Sequence, residues 1–415
     1  MSKEQMTALE QEEIEIFERR EIGLKSAEEI RFEDIITPLT QEEFFAEYWE
    51  KRPLVSKGRP AEFFTPLFSI GDVDRAICYF KPRPGRIDLV TEAGFVRDNF
   101  LSGDGTANVN LVIESYMKGS TVILSGLEQT WEPLTLFSRA LEGCLNHPIA
   151  MAVYLSPPNF QGVKPHYDTQ ENFLLQVEGS KHWKVYKPLH EFPPVEGSYA
   201  PVPREKLSEP ICETVLNPGD ALYIPRGFVH EGMAGDKPSL HITVDVHVRT
   251  WFDFLYDALA AVAERDLRFR RSLPAGFLND EAVMQSLANE FSEFMNIFQS
   301  QATHKDAVGK HTEILAVRNP PPADGHFSVL NAAIGPDTLL RKRRTTLARV
   351  FQENGVAGIQ FSGNQLLGPA KIIDALRHIA DAETITPASL PGSLNENEKL
   401  ILVRRLVRTG LLTLA

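Results

Sequence analysis

Pro165-His166-Tyr167-Asp168-Thr169-Gln170-Glu171-Asn172-Phe173-Leu174-Leu175-Gln176-Val177-Glu178-Gly179-Ser180-Lys181-His182-Trp183-Lys184-Val185-Tyr186-Lys187-Pro188 is the stretch around which the rest of the chain is read. Apolar residues alternate at Phe173, Leu175 and Val177, Glu178-Gly179-Ser180 turns, and a second run returns from Lys181 to Tyr186. Two period-2 runs around a Gly-containing turn predict a β-hairpin. His166 and Asp168 stand two apart in chain that reads as extended, so both side chains leave one face of a strand. An imidazole and a carboxylate on one face are two of the three ligands of a facial Fe(II) triad. Further on, Asn217-Pro218-Gly219-Asp220 turns into the short apolar strand Ala221-Leu222-Tyr223-Ile224, and His230 follows its end as the candidate third ligand.

A lone H-x-D also describes a core histidine bonded to a neighbouring aspartate. The period-2 runs around it, the histidine after a Pro-Gly-Asp turn and strand, and a lysine at the head of the return strand favour the metal reading. His166, Asp168 and His230 would cover one face of Fe(II) and leave three positions for co-substrate, O₂ or water. Lys181 would place a positive charge deep in the barrel, where an unpaired cation is costly. It is therefore expected to meet an anion such as the distal carboxylate of 2-oxoglutarate. His241, mid-strand in Ser239-Leu240-His241-Ile242-Thr243-Val244-Asp245, is the rival third ligand. His230 is preferred because a histidine after a turn can swing in at the barrel mouth. His182 should face away from Lys181 and is read as structural.

Working outward, short strands recur between Pro and Gly turns over 151–155, 165–177, 181–187, 221–224 and 239–248, with Leu54-Val55-Ser56 as a first strand. That rhythm predicts a β-sandwich or barrel rather than βαβ units, and a double-stranded β-helix in particular. Thr40 and Glu43 form a capping box ahead of Phe44, Phe45, Tyr48 and Trp49, an aromatic stripe suited to core packing. Pro133 to Asn146 reads as a helix with Pro just inside its start. The fold class expected is therefore a mainly β catalytic core over 35–250, after an acidic, Glu-rich leader at 1–34. A helical region follows over 251–310, where Trp251 to Asp266 and Phe277 to Phe298 are more apolar than one buried stripe needs. Such a pair either packs on the barrel or forms a dimer interface. The polar, Pro-rich stretch around 300–326 reads as a linker. Over 327–415, a helix at Ile372 to Ile379, a second capped by Asn395 over Glu396 to Arg408, and a strand at Leu411 to Leu414 resemble a winged helix-turn-helix.

A chain of 415 residues needs two or three domains, and its 43% hydrophobic and 24% charged residues are those of a globular protein. No apolar run reaches a membrane span and the N-terminus lacks a signal-peptide layout. Cys78, Cys144 and Cys212 are scattered, which argues against a disulfide framework or thiolate zinc site and for a reducing cytoplasm. A net charge of −13 argues against general nucleic-acid binding and would attract a basic protein, although it also serves solubility alone. The basic run Arg341-Lys342-Arg343-Arg344 reads as a solvated helix start.

Four segments carry a family resemblance: Phe32-Glu33-Asp34-Ile35-Ile36-Thr37-Pro38 to Arg52-Pro53-Leu54; Pro165-His166-Tyr167-Asp168; Glu178-Gly179-Ser180-Lys181-His182-Trp183; and Pro218-Gly219-Asp220 to His230-Glu231-Gly232. Together they resemble the JmjC-type ribosomal oxygenases over nearly the whole chain. The resemblance implies a cupin-like core, a helical dimerisation region and a C-terminal winged helix. It implies iron on His166, Asp168 and His230, Lys181 on the C5 carboxylate of 2-oxoglutarate, and Tyr154 lining the active site. The implied reaction is hydroxylation of an arginine or histidine side chain of a ribosomal protein, coupled to conversion of 2-oxoglutarate to succinate and CO₂. The alternatives are a 2-oxoglutarate oxygenase acting on a small molecule or peptide natural product, and a non-catalytic cupin and winged-helix scaffold. Ala152 stands where better-known members carry Asn, and Asp245 where a small hydroxyl residue often helps hold the co-substrate.

Overall fold

The computed structural model describes residues 16–18, 23–96, 100–194, 201–319, 321, 323–353 and 355–415, so most of the acidic leader lies outside the described residues. The chain divides into two units, Met1–Val248 and Arg249–Ala415.

Among the described residues the first unit contains twelve strands: β1 (Ile16–Glu18), β2 (Leu54–Lys57), β3 (Ile87–Thr91), β4 (Gly94–Val96), β5 (Thr121–Ser125), β6 (Ile149–Ser156), β7 (Glu171–Glu178), β8 (Lys181–Pro188), β9 (Cys212–Leu216), β10 (Ala221–Ile224), β11 (Phe228–Ala234) and β12 (Ser239–Val246). Nine of them form one sheet in the order β1-β2-β10-β7-β12-β6-β5-β3-β4, and a second sheet runs β11-β8-β9. All the strand pairs are antiparallel except β1 with β2. This is the expected mainly β core, and its side chains sort by the period of two. On β7, Phe173, Leu175 and Val177 join Phe32, Phe44 and Phe137 in the main core, while Leu174 on the other face packs with Trp183, Val185, Cys212 and Leu216 of the small sheet. On β12, Leu240, Ile242, Val244 and Val246 take the main-core side, which leaves His241, Thr243 and Asp245 on the other. The face that carries the polar residues thus lies between two sheets rather than in water.

The helices hold the outer face. Thr40 caps Gln41–Glu47 with Glu43 returning the bond, as the sequence predicts. Phe44 is fully buried there, and its truncation would cost about 3–5 kcal/mol. The helix Glu132–Leu145 adds Leu134, Phe137 and Leu141 to the same core.

The predicted hairpin is not formed. β7 lies between β10 and β12, whereas β8 lies between β11 and β9, so the turn at Gly179 carries the chain from one sheet to the other. Gly179 has φ +64°, and a Cβ there would stand 2.0 Å from the carbonyl oxygen of Pro238. Turn chemistry reports a reversal; it does not say that the two arms pair. The predicted strand over 165–177 is also too long, because β7 begins only at Glu171 and His166 holds an isolated bridge to His230.

In the second unit, helices span Trp251–Arg265, Glu281–Gln301 and His304–Arg318. The last of these occupies much of the stretch read as a linker; Thr303 and Asp306 form a capping box that starts it. Beyond it come strands β13 (Leu340–Lys342), β14 (Ala348–Glu353), β15 (Val356–Phe361), β16 (Asn364–Pro369), β17 (Thr384–Ile385) and β18 (Leu412–Leu414), in sheets ordered β17-β13-β18 and β14-β15-β16. Helices Ile373–Asp381 and Glu396–Arg408 pack with them, the second capped by Asn395. The basic run is not a helix start. Arg341 and Lys342 end β13, Arg343 is buried and bonds to the carbonyl of Asp324, and Arg341 pairs with the Asp324 carboxylate at 2.8 Å.

Candidate metal centre

The segment from Pro165 to Gln170 runs beside the start of β11. His166 N–H donates to the His230 carbonyl (3.2 Å) and His230 N–H to that of His166 (2.8 Å). Gly227 N–H donates to the carbonyl of Asp168 at 2.9 Å. Gly227 can make that approach because its φ is +85° and it has no side chain; a Cβ would stand 2.4 Å from the His190 carbonyl oxygen. His230 is therefore the third residue of β11, just past an irregularity in its pairing with β8, and not a residue swinging from a strand end. Bulges of this kind re-aim side chains next to sites.

These backbone contacts bring three ligand atoms within 4.8 Å of one another, from His166, Asp168 and His230. The His230 Nε2 lies 3.4 Å from Asp168 Oδ2, and the His166 Nε2 lies 3.9 Å from it. Each imidazole is turned by its other nitrogen: His166 Nδ1 is 2.8 Å from the Lys164 carbonyl and His230 Nδ1 is 3.2 Å from that of Phe228. A proton on Nδ1 satisfies each carbonyl and leaves each Nε2 lone pair facing the cluster, the outer-sphere arrangement of metal-binding histidines. Asn172 Nδ2 donates to Asp168 Oδ2 at 2.5 Å and fixes the carboxylate. Burial first, and then the neighbouring His166, push the His230 pKa down to about 4, so it stands neutral and ready to donate.

The cluster opens on a cavity of about 350 Å³ whose walls include Tyr154, Lys181, Trp183, Thr243 and Asp245. Lys181 opens β8, is 4% exposed, and meets no hydrogen-bond acceptor or carboxylate among the described residues. Its ammonium stands 4.8 Å from the centre of the Trp183 ring, and burial lowers its pKa to about 7. Asp245 is pushed the other way, up to about 8, by burial and then by Asp168. A buried cation facing a cavity without a counter-ion is what a site for an anionic ligand needs.

His241 lines the cavity but stands outside the three-ligand cluster. It pairs across β6 with Tyr154, whose ring stacks on it at 4.8 Å, and Trp183 meets it edge-on at 5.4 Å. His182 faces away and lies 2.9 Å from Glu213. Two contributors escaped the sequence reading. In the expected strand over 165–177 Asn172 would share the period-2 face of Asp168, which was its signal; in the structure β7 starts at Glu171 and Asn172 reaches Asp168 by its side-chain hydrogen bond. Gly232 lies beside Lys181, and a Cβ there would stand 2.8 Å from both Lys181 Cε and the Trp183 ring; its only signal was its place in the His230-Glu231-Gly232 run.

An antiparallel core with a His-Asp-His cluster inside it is a JmjC, cupin-like fold with a candidate metal site. The family model for the JmjC domain matches residues 128–254. Ribosomal oxygenase 1 of Gallus gallus is 35% identical over 264 residues, 61% of this chain and 44% of that protein. Ribosomal oxygenase 1 of Rattus norvegicus is 33% identical over 256 residues, 60% of this chain and 43% of that protein. A solved structure of Escherichia coli YcfD aligns over 91% of this chain and 98% of that one, with a TM-score of 0.55 at 19% identity. Another structure of that protein is described as a ribosomal oxygenase in complex with cobalt and 2-oxoglutarate, with a TM-score of 0.51 at 19% identity. The chain is thus similar to the ribosomal oxygenases over about 60% of its length and carries a JmjC domain match within that part. It spans 43% to 48% of the length of the curated ribosomal oxygenase 1 relatives from rat, zebrafish and chicken.

Proposed function

We propose that this chain is an Fe(II)- and 2-oxoglutarate-dependent oxygenase that hydroxylates an arginine or histidine side chain of a ribosomal protein. One observation carries the reading: His166, Asp168 and His230 converge in a cavity that also holds the buried, unpaired Lys181. The donor set of two imidazoles and one carboxylate suits Fe(II), and the relatives named ribosomal oxygenases support the substrate class.

His166, Asp168 and His230 would hold the iron, and Lys181 would pair with the distal carboxylate of 2-oxoglutarate. Bound iron supplies the oxidation, in which one oxygen atom of O₂ enters succinate and the other the substrate side chain. The chain's own part is positional and electrostatic. The carbonyls of Lys164 and Phe228 hold both imidazoles in the ligating tautomer, and Asn172 orients Asp168. Lys181, dehydrated in advance, meets an incoming carboxylate with little solvent to displace. Trp183 and the stacked pair Tyr154 and His241 form the wall around it and keep water from that end.

The test is succinate formation from 2-oxoglutarate by the metal-loaded chain with a pool of basic ribosomal proteins, read with intact masses. Stimulated succinate with one oxygen added to one protein supports the reading. Turnover with no protein modified moves the activity to a small molecule, and absence of metal binding and of turnover leaves only a scaffold.

The remaining assignments rest on the same resemblance. A catalytic core over 35–250, a dimerising helical region over 251–310 and a winged-helix domain over 327–415 follow the leader at 1–34. Exposed Phe252, Leu255, Tyr256 and Phe291 support an apolar interface between two copies. The engagement of Arg341, Lys342 and Arg343 within the C-terminal unit supports a protein that does not bind nucleic acid. No helix among the described residues is long and apolar enough to cross a membrane, and we assign the chain to the cytoplasm.

A further inference from the structure

We infer that Arg226 is a positioning residue for the metal ligands: held by two carboxylates, it fixes the turn whose backbone grips Asp168 and leads into His230. The inference rests on the metal-site reading above and deepens it. Arg226 is the second residue of the turn Pro225-Arg226-Gly227-Phe228, which joins β10 to β11 and is closed by Phe228 N–H donating to the Pro225 carbonyl at 3.2 Å. Gly227 of that turn supplies the N–H that reaches the Asp168 carbonyl, and His230 stands three residues further on. A shift of the turn therefore moves two of the three ligands together.

Two acids hold Arg226, whose side chain is only 9% exposed. Its Nε stands 3.6 Å from Glu171 Oε1, and a terminal guanidinium nitrogen donates to the Glu50 carboxylate. Glu171 is fully buried, opens β7 three residues after Asp168, and accepts from the Tyr223 hydroxyl on its other oxygen. The chain from Asp168 to Glu171, the ion pair to Arg226 and the hydrogen bond from Gly227 back to Asp168 thus close a ring around the ligand segment. The two faces of β7 divide the task. Asn172 on one face holds the Asp168 carboxylate, whereas Glu171, on the face of Phe173 and Leu175, holds the backbone through Arg226.

Stability alone does not account for this arrangement, since a buried ion pair is a weak source of it. Arg226 Nε and Glu171 Oε1 face each other just beyond hydrogen-bond length, and neither atom has a hydrogen-bond partner among the described residues. Glu50 is held at φ +60°, a left-handed conformation that costs a residue with a side chain, while its N–H donates to the Tyr223 hydroxyl at 2.9 Å. Strain that the surroundings maintain in this way clusters at functional sites. A planar guanidinium can face both carboxylates at a fixed angle, which the point charge of a lysine cannot do. The Phe192 ring, centred 5.1 Å from the guanidinium carbon, lies against it.

The experiment titrates Co(II) alone into the full, metal-free chain, well below the melting transition, and reads affinity and visible absorption. Arg226→Met should bind Co(II) about 10- to 100-fold more weakly than wild type, as for loss of an outer-sphere partner, with altered absorption bands from what does bind. Arg226→Lys keeps the charge without the fork and should fall between the two. Leu141→Ala in the fully buried core is the control for stability: its melting temperature should drop while Co(II) affinity and spectrum stay those of wild type. Unchanged affinity and spectrum in both Arg226 variants, or losses matched by Leu141→Ala, overturn the inference alone. Where Arg226→Met does not fold, unchanged Co(II) binding by Arg226→Lys overturns it. A wild-type chain that binds no Co(II) overturns the metal-site reading and this inference with it.

Discussion

Lys181→Met removes a charge that is buried without a counter-ion among the described residues, and it nearly preserves the side chain's length. The Lys181 pKa falls from its ordinary 10.5 to about 7 because of burial. A separation of that size corresponds to about 5 kcal/mol of destabilisation of the ligand-free protein when the lysine is charged, at 1.36 kcal/mol per pH unit. The sign follows from proton binding. Between about pH 7 and 10.5 the unfolded chain holds this proton more tightly than the folded one, so wild-type stability rises with pH across that window. Below pH 7 the cost is fully present. The variant lacks the group, so it should be more stable than wild type by about 4 kcal/mol at pH 7 and by almost nothing near pH 10.5. For a unit of this size the gain at pH 7 corresponds to a melting temperature raised by roughly 10 °C. Calorimetric melting of the metal-free chain from pH 6 to 10 reads it directly. Addition of 2-oxoglutarate should raise the wild-type transition and leave the variant's unmoved. A variant no more stable than wild type at pH 7, or a gain that stays constant to pH 10, would refute the claim that the site stores an unpaired cation.

His166→Ala, Asp168→Ala and His230→Ala should each abolish turnover and weaken Co(II) binding, followed by its visible absorption, whereas His241→Gln should keep the metal; loss of Co(II) in His241→Gln with retention in His230→Ala would reverse the choice of third ligand. Gly232→Ala adds a Cβ 2.8 Å from Lys181 Cε and from Trp183, so the fold should persist while 2-oxoglutarate affinity, measured by calorimetry, falls by about tenfold. An unchanged affinity would mean that Lys181 does not touch the co-substrate. Phe291→Glu places a charge on the exposed helical face and should convert a dimer to a monomer in sedimentation; a monomeric wild type would remove the proposed interface.

The legibility of this protein differs sharply from one element to the next. The capping boxes at Thr40 and Asn395 and the apolar alternation of β7 are local, because the partners lie within a few residues and the chain declares them. His166 and Asp168 were legible for the same reason. The hairpin at Gly179 failed because pairing is a long-range decision: β7 is taken by β10 and β12, and β8 by β9 and β11. The linker failed because Pro and polar residues beyond Arg318 masked a helix begun by Thr303 and Asp306. Arg343 failed because a basic run is usually solvated, and nothing local reveals that Asp324 waits for it.

By itself, then, the sequence determined the donor types, their spacing and the strand period, since these depend on covalent order and on a backbone repeat of two. Only the tertiary structure decided which histidine completes the cluster, because the choice between His230 and His241 rests on the bridge of His166 to His230 and on the turn at Gly227. It also decided the charge of the cavity. Burial pushes the pKa of the Lys181 ammonium down to about 7 and that of the Asp245 carboxyl up to about 8, and burial is a property of two sheets meeting, which no single stretch of chain contains.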